Sequence, residues 1–279
     1  MSVMLRRGFV FALAVFVGGG GLAFSAAAAP KAELWARWER HNPDSVAVVD
    51  HSVWDAFLGQ YLQERDGINL LDYDAAEKGE GKGLLKAYLD TLQKTPVSDL
   101  NRDEQRAFWI NLYNALTADV VISNYPVDSI RDIEPGLFGG GGPWQKKLAQ
   151  VEGEMLSLDD IEHRILRPIW QDARVHYAVN CASIGCPNLM TNAFTAENTE
   201  ALLREGARDF INHPRGADVN AGGALVVSSI YEWFAEDFGG DDSGIIAHLR
   251  KYADDDLRGK LANVNAIADD DYDWRLNKP

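Results

Sequence analysis

Residues Arg102 to Ser123 read as one long helix with apolar side chains on nearly every side. Phe108, Trp109, Leu112, Tyr113, Leu116, Val120 and Val121 cannot share a single face at 3.6 residues per turn, so the rest of the chain must enclose this helix. Asn101 followed by Glu104 is the pattern of a capped start, and Pro126 closes the far end. A chain of 279 residues that is 46% hydrophobic carries enough apolar surface to build that envelope. No repeat and no long linker divides it, so residues 30–279 read as a single domain.

One stripe on the buried helix is different. Ala107, Asn111, Asn114 and Ala118 follow 4, 3, 4 spacing and stack along one line. Each asparagine buried there must find hydrogen-bond partners or cost about 1–3 kcal/mol. The pair therefore either lines a polar site or stitches the helix to neighbouring backbone.

The remaining elements are shorter. Val53 to Gln63 and Leu84 to Leu92 carry helical stripes. Ser157 and Asp160 cap a helix over Leu158 to Leu166, which Pro168 is expected to stop. Arg174 to Asn180 alternates, with Val175, Tyr177 and Val179 on one side, and reads as a strand. Ala224 to Ser228 is a second strand, and Ser229 with Glu232 opens a helix after it. The order predicts an α+β fold, mainly helical with a small antiparallel sheet, not a doubly wound parallel one.

Met1 to Ala29 reads as a cleavable export signal: Arg6 and Arg7, an apolar stretch broken by Gly18 to Gly21, then small residues at Ala26 to Ala29. The Arg6-Arg7-Gly8-Phe9-Val10 run fits a twin-arginine route as well as ordinary secretion, so the expected location is the periplasm or outside the cell. Lys and Arg number 27 against 42 Asp and Glu, a formal charge of −15. Such a surface argues against nucleic acid as a partner, and against the membrane once the signal is removed. An anionic substrate would need a local basic pocket.

The chemistry-bearing residues concentrate in two motifs. Glu162 lies within the apolar stripe of Leu158, Ile161 and Ile165, so it is either paired or raised in pKa, and His163 follows it off the stripe. The denser motif runs from Arg174 to Pro187 and holds His176, Asn180, Cys181, Ser183 and Cys186. Read as a strand, it puts Arg174, His176 and Asn180 on one face, with His176 and Asn180 roughly 13 Å apart. Cys181 follows where the strand ends, where a nearby imidazole could hold its thiolate and act as general base. The two cysteines also read as a disulfide in an oxidising compartment, or as two inert thiols. Neither C-x4-C nor Asp269 to Asp273 has the ligand spacing of a zinc or EF-hand site, the glycine run Gly139 to Gly142 lacks a phosphate-loop ending, and G-x-S-x-G is absent. No metal and no cofactor is expected.

The runs AFWINLYNALT (107–117), YPVDSI (125–130), LSLDDIEHRILRP (156–168) and RVHYAVNCASIGCPNL (174–189) resemble the domain-of-unknown-function 547 family. SSIYEWFAEDFG (228–239) and YDWRLN (272–277) fit too, so the resemblance spans about Asp55 to Asn277. It implies an α+β domain with papain-like or transglutaminase-like features, in which a nucleophile opens a buried helix and a histidine faces it from a strand. His176 suits that histidine. The buried helix here has Asn111 and Asn114 and no cysteine, so the thiol must come from Cys181 or Cys186.

The expected function is an exported cysteine-dependent hydrolase or acyl-transferase acting on peptide-like or γ-glutamyl-thiol-like amides, a small-molecule or peptide substrate. Cys181 would be the nucleophile, His176 or His163 the base and Glu162 its orienting group. Asn111, Asn114, Arg174, Asn180 and Ser183 would contact substrate. The alternative is a non-enzymatic binding module stiffened by a Cys181–Cys186 disulfide.

Overall fold

The computed structural model describes residues 30–134 and 141–279. The expected signal peptide, residues 1–29, and the first half of the glycine run lie outside them.

In chain order come α1 (Ser52–Tyr61), the hairpin β1 (Leu62–Arg65) and β2 (Ile68–Leu71), α2 (Tyr73–Lys78), α3 (Gly81–Lys94) and the long α4 (Arg102–Asn124). A second hairpin, β3 (Ala149–Val151) and β4 (Glu154–Leu156), leads into α5 (Leu158–Ile161), a π-helical turn (Glu162–Leu166) and α6 (Arg167–Trp170). A 3-10 helix (Ala173–Tyr177) and the loop after it precede α7 (Thr199–Ile211). The chain then forms β5 (Ala217–Val219), β6 (Leu225–Ser228), α8 (Ile230–Trp233), α9 (Asp242–Tyr252), α10 (Asp255–Leu261) and β7 (Ile267–Asp271). The fold is α+β, helical in the main, with small sheets. Two are antiparallel hairpins, and in the third β6 pairs antiparallel with β5 and parallel with β7.

As its all-round apolar pattern requires, α4 is the axis of the larger hydrophobic core, and even Gln105 and Arg106 in its first turns are buried. Asn101 caps it by accepting from the Asp103 and Glu104 amides. Glu104 does not complete the expected reciprocal box: its carboxylate accepts from the Val49 amide and anchors the N-terminal segment. A second apolar core gathers α7, β5, β6, α8, α9 and α10 around Phe210, Tyr231, Phe238 and Leu249. Among the described residues, no helix is long and apolar enough to cross a membrane.

Two corrected local expectations shape the site. Pro168 does not end the helix at Leu166. The chain widens into the π-helical turn, and the Arg167 amide donates to the Glu162 carbonyl five residues back. Proline cannot donate to the carbonyls behind it. The N-terminal strap supplies the missing donors: the Glu33 amide reaches the His163 carbonyl at 2.9 Å and the Trp35 amide the Arg164 carbonyl at 3.0 Å. The helix therefore continues to Trp170, and the bulge turns Glu162 and His163 inward.

Arg174 to Asn180 is not a strand. Asp172 accepts from the Arg174 amide and opens the 3-10 helix. The apparent alternation arises because the segment sits at the seam of the two cores. Val175 and Ala178 pack in the larger one, while Tyr177 packs in the smaller. The supposed common face of Arg174, His176 and Asn180 does not exist. Ser229, expected to open a helix through a capping box, precedes α8 without a side-chain cap bond.

Candidate functional site

The residues singled out from sequence separate into two clusters, both held against α4. Asn114 is central to one of them. Its Nδ2 donates to the Ala178 carbonyl at 2.8 Å and its Oδ1 accepts from the Asn180 amide at 2.9 Å, clamping the backbone on both sides of Val179. One turn earlier Asn111 does the same to Phe194, donating to its carbonyl at 2.7 Å and accepting from its amide at 3.0 Å. Of the two readings open for this stripe, the geometry shows the stitch. The Asn114 stitch fixes where the chain turns at Cys181.

That turn is tightly built. Asn180 donates from Nδ2 to the Pro187 carbonyl at 2.7 Å and accepts the Ala182 amide at 2.8 Å. Ala182 takes a left-handed φ of 61°, which costs an alanine about 1 kcal/mol. The C-terminal tail closes over the turn: Ile184 donates to Arg275, Gly185 to Asp273, and Asn277 to Ala182. Gly185 is required here, because a Cβ would come within 2.8 Å of the Asp273 nitrogen.

The turn presents Cys181, partly exposed, against a buried Cys186. The Cys181 amide donates to the Cys186 sulfur at 2.9 Å. The Cys181 sulfur lies 2.9 Å from the Tyr272 hydroxyl and 3.2 Å from the Ser183 hydroxyl, and those two oxygens are 2.9 Å apart. Hydrogen bonding from the Cys186 thiol, joined by Ser183 and Tyr272, outweighs burial and holds Cys181 below the usual thiol range. Burial, with Cys181 beside it, pushes the Cys186 thiol well above that range. Both are free thiols in this structure.

The imidazoles belong to the other cluster. His176 Nε2 is 2.7 Å from an Asp237 oxygen and its Nδ1 is 3.6 Å from Glu162, while its ring stacks on Phe234 at 4.2 Å. Arg167 donates from Nε to Asp237 at 2.6 Å and from Nη1 to the Pro30 carbonyl at 2.7 Å. The same guanidinium contacts His163 Nδ1 at 3.1 Å, and His163 Nε2 is 3.7 Å from Asp159. Burial works against charging His176, but the hydrogen bonds with Asp237 and Glu162 prevail and raise it above the ordinary histidine value. Burial also opposes ionisation of Glu162 and Asp237. For Glu162, His163, His176 and Arg167 win and hold the carboxyl at about 2; for Asp237, His176 and Arg167 do the same. Burial, opposed by Glu162, leaves His163 lowered.

His176, His163 and Glu162 are thus brought together with Asp237 and Arg167; none of the three hydrogen-bonds the thiol, although the Glu162 charge acts on Cys181 and on the buried Tyr113 between them. Among the described residues, every hydrogen bond of the Cys181 sulfur goes to a hydroxyl or to Cys186. Of the five expected substrate contacts, Ser183 stands at the sulfur. The amides of Asn111, Asn114 and Asn180 are engaged with backbone. Arg174 points elsewhere, to Asp172 at 2.6 Å and Glu200 at 2.9 Å. Sequence reasoning assigned no role to Tyr272 or Asp237. The signal for both lies in the family-like stretches 228–239 and 272–277, which carry the resemblance but no chemical role of their own. Among the described residues, no group of three or more His, Cys, Asp or Glu side chains is arranged to hold a metal.

The family model described as "Protein of unknown function, DUF547" matches residues 97–211, which include α4, the π-helical turn, the 3-10 helix and the thiol turn. The stretches carrying Asp237 and Tyr272 lie beyond the match. No curated protein and no solved structure matches the chain.

Proposed function

From the premise that this chain belongs to the DUF547 family, with its thiol turn inside the matched residues, we propose that Cys181 and Cys186 form a reactive dithiol that exchanges with disulfides outside the cytoplasm. The observation that carries this reading is the asymmetry of the pair. One thiol is partly exposed and lowered, the other is buried and raised, and the Cys181 amide donates to the second sulfur. A thiolate attacks in proportion to its population, and a buried second thiol can then resolve the mixed disulfide. Cys181 displaces one half of a substrate disulfide, which leaves as a thiolate and takes a proton. Cys186, after losing its proton to solvent, attacks the Cys181 sulfur and releases the second half as a thiol. The protein dithiol loses two electrons, and the substrate disulfide becomes two thiols.

A second reading keeps the expected cysteine hydrolase or acyl-transferase. It is favoured by the Tyr272 hydroxyl, which touches both the sulfur and Ser183 and could relay a proton in place of an imidazole. The non-enzymatic reading uses the same two cysteines as a stiffening disulfide.

One experiment separates the three. Wild type, Cys181→Ser and Cys186→Ser are incubated with glutathione disulfide and followed by intact mass. Exchange predicts an internal disulfide in the wild type, a stalled glutathione adduct on Cys186→Ser and no adduct on Cys181→Ser. Equal adducts on both variants overturn the assignment of Cys181. Turnover of an amide or thioester by Cys186→Ser, lost in Cys181→Ser, moves the conclusion to acyl transfer. A stable disulfide with no exchange moves it to the binding module.

A further inference from the structure

At the start of the 3-10 helix, residues of α6, α7 and α9 line a groove of about 520 Å³. Its walls include Trp170, Arg174, Arg204, His248, Lys251 and Tyr252. Three cationic side chains in one groove are notable on a chain of charge −15.

The charges facing it differ in how they are used. Asp172, the carboxylate in the wall, accepts from Arg106 at 2.7 Å and from Arg174 at 2.6 Å, and Glu200 pairs with the same two arginines at 3.1 and 2.9 Å. Those two acids and two arginines balance one another, and the network fixes the Arg174 guanidinium in place. Arg204 has no ion pair or hydrogen bond among the described residues. Lys251 has no ion pair among the described residues, and its ammonium lies 5.1 Å from the Tyr252 ring. The groove therefore holds two uncompensated cations. His248 lies between them and the core, with Nε2 2.9 Å from the Tyr177 hydroxyl. Burial, and next Lys251, push its pKa down to about 4, so it meets a ligand as a neutral hydrogen-bonding ring. Trp170 and Tyr252 add flat apolar walls, and Trp170 is itself held under the Arg102 guanidinium at 5.6 Å.

We propose that this groove binds a small organic anion, with a phosphate or carboxylate head on Arg204 and Lys251 and a flat apolar body between Trp170 and Tyr252. The volume is that of a small-ligand site, and free cations beside aromatic walls are what such a molecule recognises. The site is independent of the dithiol.

Calorimetric titration with phenyl phosphate, benzoate and inorganic phosphate tests it. Phenyl phosphate or benzoate should bind, and their order identifies the preferred head. Inorganic phosphate should bind more weakly than phenyl phosphate. Arg204→Glu and Lys251→Glu, both on exposed positions, should each weaken binding roughly tenfold, whereas Cys181→Ser should leave it unchanged. Absence of binding at millimolar ligand overturns the proposal, as does binding that survives both charge reversals. Equal affinity for inorganic and phenyl phosphate overturns the role of the aromatic walls.

Discussion

The imidazole cluster and the thiol turn lie against the same helix but are built in opposite ways. At His176 every polar atom has a charged or aromatic partner, and the group is ion-paired with Asp237 and Glu162 in the interior. At Cys181 the partners are neutral hydroxyls and a second thiol, the backbone next to it is strained, and the residue reaches solvent. A histidine with both nitrogens committed to carboxylates is poor at picking up a substrate's proton, however well placed it looks in sequence. It does hold together the π-helical turn, the N-terminal strap and the second core through Glu162, Arg167 and Asp237. The thiol, by contrast, is presented by strain and hydroxyls. One cluster ties the elements together, and the exchange chemistry proposed above falls to the other.

The largest effect that could break this division comes from Glu162→Gln. Removing one member of a buried ion network should lower the unfolding free energy by about 3 kcal/mol, measured by urea denaturation. The rate of Cys181 alkylation should stay close to wild type. A large loss of alkylation rate with stability intact would show that the two clusters act as one site.

Asn114→Ala should cost about 1–3 kcal/mol, because the Ala178 carbonyl and the Asn180 amide lose their buried partner. It should also change Cys181 alkylation, since it releases the turn. Asn111→Ala should cost a similar amount with alkylation unchanged, because its partner is Phe194. Equal alkylation in the two variants would remove Asn114 as a positioning residue.

The smallest effect is the pH dependence. His176 is raised above 6.5 in the folded protein, so its contribution is complete below its unfolded value and is lost as pH rises through the folded one. Glu162 and Asp237 are held at about 2, so theirs is present above the ordinary carboxylate range and lost as pH falls toward that value. His163 and His248 are lowered by burial, so their contribution is lost as pH falls below the ordinary histidine value, and stability should therefore peak near neutrality. The decline on the alkaline side should flatten in His176→Gln, as read from urea midpoints across the pH range.

Local rules located most of the helices, because capping residues and 3.6-residue stripes act over one or two turns. The buried α4, the Ser157–Asp160 box and the asparagine stripe were all visible in this way. The failures came where partners distant in sequence decided the outcome. Pro168 is tolerated because Glu33 and Trp35 supply donors from the other end of the chain. Arg174 to Asn180 alternates without being a strand because its neighbours contact two different cores and an ion network. Cys181, Ser183 and Cys186 were found from sequence because they share one turn. Tyr272 and Asp237 were not, because they reach their partners across 91 and 61 positions.

The amino-acid order alone determined that a helix apolar on nearly every side must lie at the centre, that the two asparagines of its small-residue stripe must be satisfied, and that two thiols lie within one short turn. Tertiary structure alone decided which groups meet the sulfur. Hydrogen bonds and ion pairs reach only a few ångströms, and the fold placed Tyr272 within that distance of Cys181 while Asp237 and Glu162 took the imidazole.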